Sequence, residues 1–216
     1  MSILRFFRRL ASAWRDREVR PEVELFQEAA GRLGPGDVAL DCGANVGKFT
    51  LPLARTGARV YAFEPNPAAY RELVEATRAF ENVTALNAAV TAEPGPVRLY
   101  LHRWDEKDPV HWSTGSSTVK AKRNVREDRY VEVEGIQLSR FIRESDTDRI
   151  QLLKMDIEGA EVAVLNQLLD EGLHQVIDLA FVEVHDRQIR ELAEPTQKLR
   201  ERLAELRASH FHLDWR

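Results

Sequence analysis

The chain has a single cysteine, Cys42, among 216 residues. A lone thiol closes no internal disulfide and builds no Cys-based zinc site, so a reducing cytoplasm is the expected location. Long apolar runs are missing as well. None approaches the roughly 18 residues that a membrane span requires. A large charge excess is also absent: the net charge of -4 gives no global pull toward nucleic acid. There are no repeats and no low-complexity tracts. With 44% hydrophobic residues, this length suits one domain with a core of its own and a small appendage.

The stretch from Val38 to Thr50, VALDCGANVGKFT, organises what is present. Val38, Ala39 and Leu40 make an apolar run that fits a buried strand and is too short for a helix. Asp41 follows, then Gly43, Asn45 and Gly47 at alternate positions, then a helical pattern through Phe49, Leu51, Leu53 and Ala54. Strand, glycine turn and helix in that order form a nucleotide-binding corner, because glycines allow backbone geometries that side chains forbid and let a ligand approach the main chain. The spacing argues against a dinucleotide. In the G-x-G-x-x-G fingerprint, Asn45 and Lys48 would occupy glycine positions. Asp41 would repel a pyrophosphate but suits a cation, and S-adenosylmethionine carries an ammonium and a sulfonium.

Further strands are expected at Arg59–Phe63, Val83–Leu86, Ile150–Met155, Val176–Val184 and Phe211–Trp215. Helices are expected at Glu22–Leu33, Ala68–Phe80, Glu158–Leu169 and Thr196–Ala208, with a short one at Leu138–Arg143. Asn66 suits an N-cap and Pro67 a first helical position. Glu64 ends the second strand, 23 residues after Asp41. That is near the offset at which an acidic side chain meets a ribose, and a carboxylate accepts from two hydroxyls at once. The third strand ends at Asn87-Ala88-Ala89-Val90, and this position should edge an adenine pocket. Lys154, in a strand expected to be buried on both faces, needs a partner, and Asp41 or Glu183 would serve.

From about residue 94 to 145 the α/β rhythm gives way to a β-hairpin-like insertion, with alternating strands at Val97–His102 and Tyr130–Ile136. His111, Trp112, Ser116 and Ser117 there, with Trp104, are candidates to contact an acceptor. Lys120, Lys122, Arg123, Arg126 and Arg129 form a basic run, read as a solvated loop or as a site for an anionic acceptor. Residues 1–20 stand apart, with Ile3, Phe6, Phe7, Leu10 and Trp14 at helical spacing among six arginines. That pattern is not a secretory signal. It suits a helix packed on the domain, a lid, or peripheral contact with an anionic membrane. The division is therefore residues 1–33 as an N-terminal helical segment and 34–216 as the main domain.

Asp41, Glu64, Asn87, Asp156 and Glu183-x-His185 all end expected parallel strands, and ligands bind along that edge of an open α/β sheet. Together DCGANVGKFT, FEPNP, NAAV, GSS, VEVEGIQLSRFI, LLKMDIEGAE and FVEVH resemble, in order, the FkbM family of S-adenosylmethionine-dependent methyltransferases. The resemblance spans about residues 36–186, and LKMDIEGAE is its most distinctive piece. It implies a Rossmann-like class I methyltransferase fold: a mostly parallel twisted sheet in the order 3-2-1-4-5-7-6, helices on both faces, and the hairpin-like insertion before the fourth strand. It implies that Asp41, Gly43, Asn45 and Gly47 hold the methionine end of the cofactor, Glu64 the ribose and Asn87-Ala88 the adenine. Asp156, Glu158, Glu183 and His185 would line the transfer site, with Asp156 also near the cofactor. The expected activity is O-methylation of a hydroxyl on a small molecule, sugar or glycan, releasing S-adenosylhomocysteine.

A hydroxyl acceptor must lose a proton, so a base near neutral pKa is needed. His185 is the expected base, oriented by Glu183 or Asp156, with His111 second. Asp156, Glu183 and His185 could also take a divalent ion, but carboxylates at strand ends are common without one, and no metal is expected. The alternatives are a nucleic-acid methyltransferase, for which no Asp/Asn-Pro-Pro-aromatic signature is present, and a non-catalytic cofactor- or membrane-binding module. The family pattern continues into a seventh strand where this sequence stops, so the sheet is expected either to leave an open edge or to be covered there by the insertion or by a second copy.

Overall fold

A computed structural model of the chain describes residues 21–119, 122 and 124–215. The arginine-rich stretch 1–20, with the membrane contact considered for it, and Lys120 and Arg123 of the basic run lie outside the described residues. No helix among the described residues is long and apolar enough to cross a membrane.

Six strands form one parallel sheet: β1 (Val38–Cys42), β2 (Arg59–Phe63), β3 (Val83–Leu86), β7 (Leu152–Met155), β8 (Ala180–Val182) and β9 (Phe211–His212). Their spatial order is β3-β2-β1-β7-β8-β9. The first five positions match the implied order. The sixth departs from it, because β9 pairs directly with β8 and is two residues long. A second sheet holds β4 (Ala88–Thr91), β5 (Gly95–His102) and β6 (Val125–Gln137) in the order β4-β6-β5. The antiparallel β5/β6 pair is the hairpin-like insertion, and β4, running parallel to β6, ties it to the main sheet's edge.

Helices cover the main sheet: α1 (Pro21–Gly31), α2 (Thr50–Ala54), α3 (Pro67–Thr77), α4 (Leu138–Glu144), α5 (Glu161–Asp170) and α6 (Ala193–Glu205). The central strands β1, β7 and β8 are short runs buried on both faces. One face packs Leu40, Leu153, Val182 and Phe63 against α4, α5 and α6. The other packs Ala39, Val60, Leu152 and Phe181 against α1. There Phe26 meets Phe49 and Phe181 edge-on at 5.1 and 5.5 Å, and Trp215 closes the aromatic cluster. Helix α1 thus shares the core of the main domain.

Two helix starts bear on the site, and one of them differs from expectation. α3 starts as expected, with the Asn66 side chain accepting from the Ala68 and Ala69 amides and Pro67 at the first position. α5 starts at Glu161 rather than Glu158, because Glu158 and Gly159 take positive φ angles of 63° and 122° and form a turn. The order of strands reverses between β1 and β7, and a cleft opens beyond their C-terminal ends.

Candidate active site

The cleft encloses about 600 Å³ of space open to solvent and is lined by three groups of residues. Gly43, Asn45, Glu64 and Pro65 form its floor. Asp156, Ile157 and Glu158 form one wall. Ala89, Val90, Leu99, Ser113, Ser116 and Thr118 come from the second sheet and its loop.

Strand phase decides which acidic side chains reach it. Glu64 and Asp156 each stand one residue beyond the end of a strand, so their side chains project past the sheet edge. Asp41 still belongs to β1, and its side chain points into a face. The expectation that Asp41 meets a cationic ligand is therefore corrected. It is fully buried and pairs in register with Lys154 of the neighbouring strand, Nζ to Oδ1 3.2 Å, while the Thr50 hydroxyl donates to its other oxygen at 2.6 Å. This makes Asp41 the partner of Lys154. Lys154 also donates to the Gly43 carbonyl at 2.7 Å and lies over the Phe49 ring. Burial works against its charge, but Asp41 and Asp156 hold its pKa above the ordinary lysine value.

The glycines are required for reasons the sequence did not show. A Cβ on Gly43 would lie 1.8 Å from the Asp156 carbonyl oxygen, so Gly43 is fixed by the close approach of two neighbouring strand ends. Gly47 is absent from the cleft lining; its φ is 87° and a Cβ there would press on Leu73. Asn45 lines the cleft with a positive φ of 50°. Its backbone N–H donates to Glu64 Oε2 at 2.8 Å, and the Asn66 N–H donates to Glu64 Oε1 at 2.7 Å. Glu64 is thus locked upright at the rim. Burial pushes its pKa up to about 7, against the pull of those two amides.

Asn87 and Ala88 do not line the cleft. Asn87 instead donates to the Glu64 and Pro65 carbonyls at 2.8 and 3.1 Å, bracing the rim from outside. The lining falls to Ala89 and Val90, one and two residues on. Leu86 ends β3, and the chain re-enters a strand at Ala88.

His185 is corrected most sharply. It is buried, with Nδ1 3.0 Å from Glu161 Oε1 and Nε2 2.9 Å from Glu158 Oε2 and 3.7 Å from Asp156 Oδ1. Burial disfavours its charge, but the two carboxylates outweigh that and raise its pKa to about 11. Both ring nitrogens are thus engaged by carboxylates, which leaves neither free to take a proton from an acceptor. Glu183 does not orient it; Glu158 and Glu161 do. Glu161, which the sequence reading passed over, is fully buried and also accepts from the Ile157 and Gly159 amides. Asp156, Glu161 and His185 offer atoms within 4.8 Å of one another, as a metal set would. Both imidazole nitrogens face carboxylates, however, and we read the group as an ion network.

Asp156, unlike His185, opens onto the cleft. Its side chain keeps 30% of its surface exposed, at the cleft wall. Burial, opposed by Lys154 and reinforced by Glu158 and Glu183, raises its pKa to about 7.

The insertion reaches the rim by its serines rather than its aromatics. Ser113 accepts from the Asn45 side chain at 2.8 Å, Ser116 accepts from Asn66 at 3.4 Å, and Ser117 donates to the Glu158 carbonyl at 2.5 Å. Ser113 and Ser116 line the cleft, while Ser117 is buried behind it. Trp112 is half-buried and stacked on His102 at 4.6 Å, and His111 is exposed with its ring edge-on to Trp112. Neither lines the cleft. Lys122, a member of the basic run, is buried and ion-paired to Glu158.

The profile of the methyltransferase FkbM domain matches residues 41–210. Hexuronic acid methyltransferase AglP of Haloferax volcanii is 25% identical over 173 residues, covering 80% of this chain and 66% of its own length. Methyltransferase 1 of Beauveria bassiana is 32% identical over 165 residues, covering 68% of this chain and 64% of its own. The chain thus spans a little under two thirds of each of these relatives. Among solved structures, an rRNA methylase from Streptococcus thermophilus superposes with a TM-score of 0.45 and 10% identity, covering 84% of this chain and 81% of that one.

Proposed function

The chain belongs to the FkbM methyltransferase family, and from that premise we propose that it transfers a methyl group from S-adenosylmethionine to a hydroxyl of a small-molecule, sugar or glycan acceptor, with Asp156 taking the hydroxyl proton. The cleft's chemistry fits a nucleoside. Glu64, held upright by two amides, has lone pairs left for a ribose diol, and Ala89, Val90 and Leu99 offer an apolar wall for a base. S-adenosylmethionine supplies, when bound, a sulfonium-activated methyl group. The protein's share is then alignment and proton removal.

The observation that carries this reading is Asp156: a carboxyl group at the cleft wall, one residue beyond the end of β7, with burial and its acidic neighbours pushing its pKa up and His185 Nε2 3.7 Å from its Oδ1. Its ionised form would accept the proton that the hydroxyl loses as its oxygen takes the methyl group and the donor's S–CH3 bond breaks, leaving S-adenosylhomocysteine. Lys154 beneath it and the His185 imidazolium beside it stabilise that ionised form. Ser113, Ser116 and Thr118 offer hydroxyls where a polyhydroxyl acceptor would enter. A hexuronic acid methyltransferase among the relatives favours a sugar acceptor.

Calorimetric titration with S-adenosylhomocysteine tests the donor side: we expect 1:1 binding that weakens at least tenfold in Glu64→Gln. A panel of uronic acids, neutral glycosides and phenols, screened for S-adenosylhomocysteine release, tests the acceptor side. No binding of S-adenosylhomocysteine by the intact chain would remove the donor assignment.

A further inference from the structure

Glu158 sits in a network larger than transfer chemistry alone needs. Its carboxylate meets the His185 imidazolium on one side and the Lys122 ammonium on the other. Lys122 is 36 residues away in sequence and comes from the loop between β5 and β6. Its side chain is only 3% exposed, so burying this charge is costly unless a partner meets it. The same loop grips the same turn twice more. Ser117 donates to the Glu158 carbonyl, and Val119 packs so closely on Gly159 that a Cβ there would lie 2.9 Å from its methyl. Glu158 itself holds a positive φ of 63°, a strain that persists only where surroundings enforce it. Its neighbour two residues back is Asp156.

We propose that Lys122 is a positioning residue for proton removal: by clamping Glu158 onto His185 it fixes the charge that Asp156 faces and joins the acceptor-side loop to the base. The proposal rests on the reading of Asp156 as the base. The groups facing Asp156 are Lys154 on β7, Glu158 in its own turn, and Glu183 and His185 beyond β8. Two of these four are anions whose field disfavours a further negative charge. Lys122 offsets one of them. Removing Lys122 leaves Glu158 less compensated and makes Asp156 harder to ionise. Removing the Glu158 charge leaves Lys122 in excess and makes Asp156 easier to ionise. The two substitutions therefore act with opposite sign, which loss of packing would not produce.

The test is a pH titration of the full chain labelled with carboxyl-13C aspartate, with and without S-adenosylhomocysteine. The Asp156 signal is the one lost in Asp156→Asn. We expect Lys122→Met to raise its midpoint by about half to one pH unit, as a cation one group removed should, and Glu158→Gln to lower it by a similar amount. Lys122→Arg should keep it near the wild-type value. Should Lys122→Met fail to fold, Glu158→Gln and Lys122→Arg decide the matter by the same criteria. A midpoint unmoved in Glu158→Gln, or moved upward equally by Lys122→Met and Lys122→Arg, overturns the proposal. The titration is read without turnover. A chain that binds no S-adenosylhomocysteine but shows the opposed shifts would refute the donor assignment and leave the Lys122 coupling standing.

Discussion

At the scale of single residues, charge is arranged in two layers. The lower layer is the Asp41–Lys154 pair, wholly inside the sheet. Breaking such a pair strands one charge, so Lys154→Met should destabilise the fold by about 3–5 kcal/mol, measured by urea unfolding. Replacing both partners with apolar residues should recover much of that loss. The upper layer is the His185 imidazolium between Glu158 and Glu161, with Asp156 beside it. The two candidate bases separate here. Asp156→Asn removes the proton acceptor but is isosteric, so turnover should fall by about 10²–10⁴-fold with the melting temperature nearly kept. His185→Gln removes a buried cation from two buried carboxylates, so it should lower the melting temperature first, by several degrees. The wild-type rate should rise through pH 7 as Asp156 ionises. A rate limb that survives in Asp156→Asn would return the role to another group.

At the scale of elements, the strands were the legible part. β2 and β3 coincide with the apolar runs Arg59–Phe63 and Val83–Leu86, and the Asn66-Pro67 start of α3 was readable from side-chain chemistry alone. Strand phase was not readable to one residue, and one residue decides the site. Asp41 was placed at the mouth of the glycine turn because it precedes Gly43, yet it is the fourth residue of a five-residue strand and faces the α1 side. The sequence pattern puts the start of a helix at Glu158, inside the 157–160 turn. Only tertiary packing holds Glu158 and Gly159 at positive φ. With that turn misread, Glu161 could not be aimed at His185, and the imidazole was taken as free to accept a proton. Nor could the sequence show that a loop lysine 36 residues away would be buried on Glu158. The N-cap of α3 offers an element-level check. Asn66→Ala removes the acceptor for two amides and the link to Ser116, and should cost about 1 kcal/mol by thermal melt.

At the scale of the whole molecule, two carboxyl groups at the C-terminal edge of the sheet make folding and binding respond to pH in opposite senses. Glu64 and Asp156 rise from ordinary values near 4.5 and 3.8 to about 7 on folding. A raised value means that the folded state holds the proton more tightly than the unfolded chain. Their contribution to stability is therefore fully present below their unfolded values and is lost as pH rises through 7. His185 is also raised, from 6.5 to about 11, so its contribution is likewise lost progressively above pH 6.5 and adds to the fall between pH 5.5 and 8 with the same sign. The apo protein should melt at a lower temperature at pH 8 than at pH 5.5, with a shallower slope in Asp156→Asn. A ribose diol donates hydrogen bonds and so favours the ionised Glu64. Affinity for S-adenosylhomocysteine should accordingly strengthen as pH rises through 7 in the wild type, and this dependence should flatten in Glu64→Gln. At a ligand concentration of about 100 times Kd, binding adds about 2.7 kcal/mol of stability. With the ligand concentration held fixed, the melting shift should therefore grow from pH 6 to pH 8 while the apo melting temperature falls. A shift that shrinks over that range would mean the ligand prefers the protonated rim, and Glu64 would then not be the group that holds the sugar.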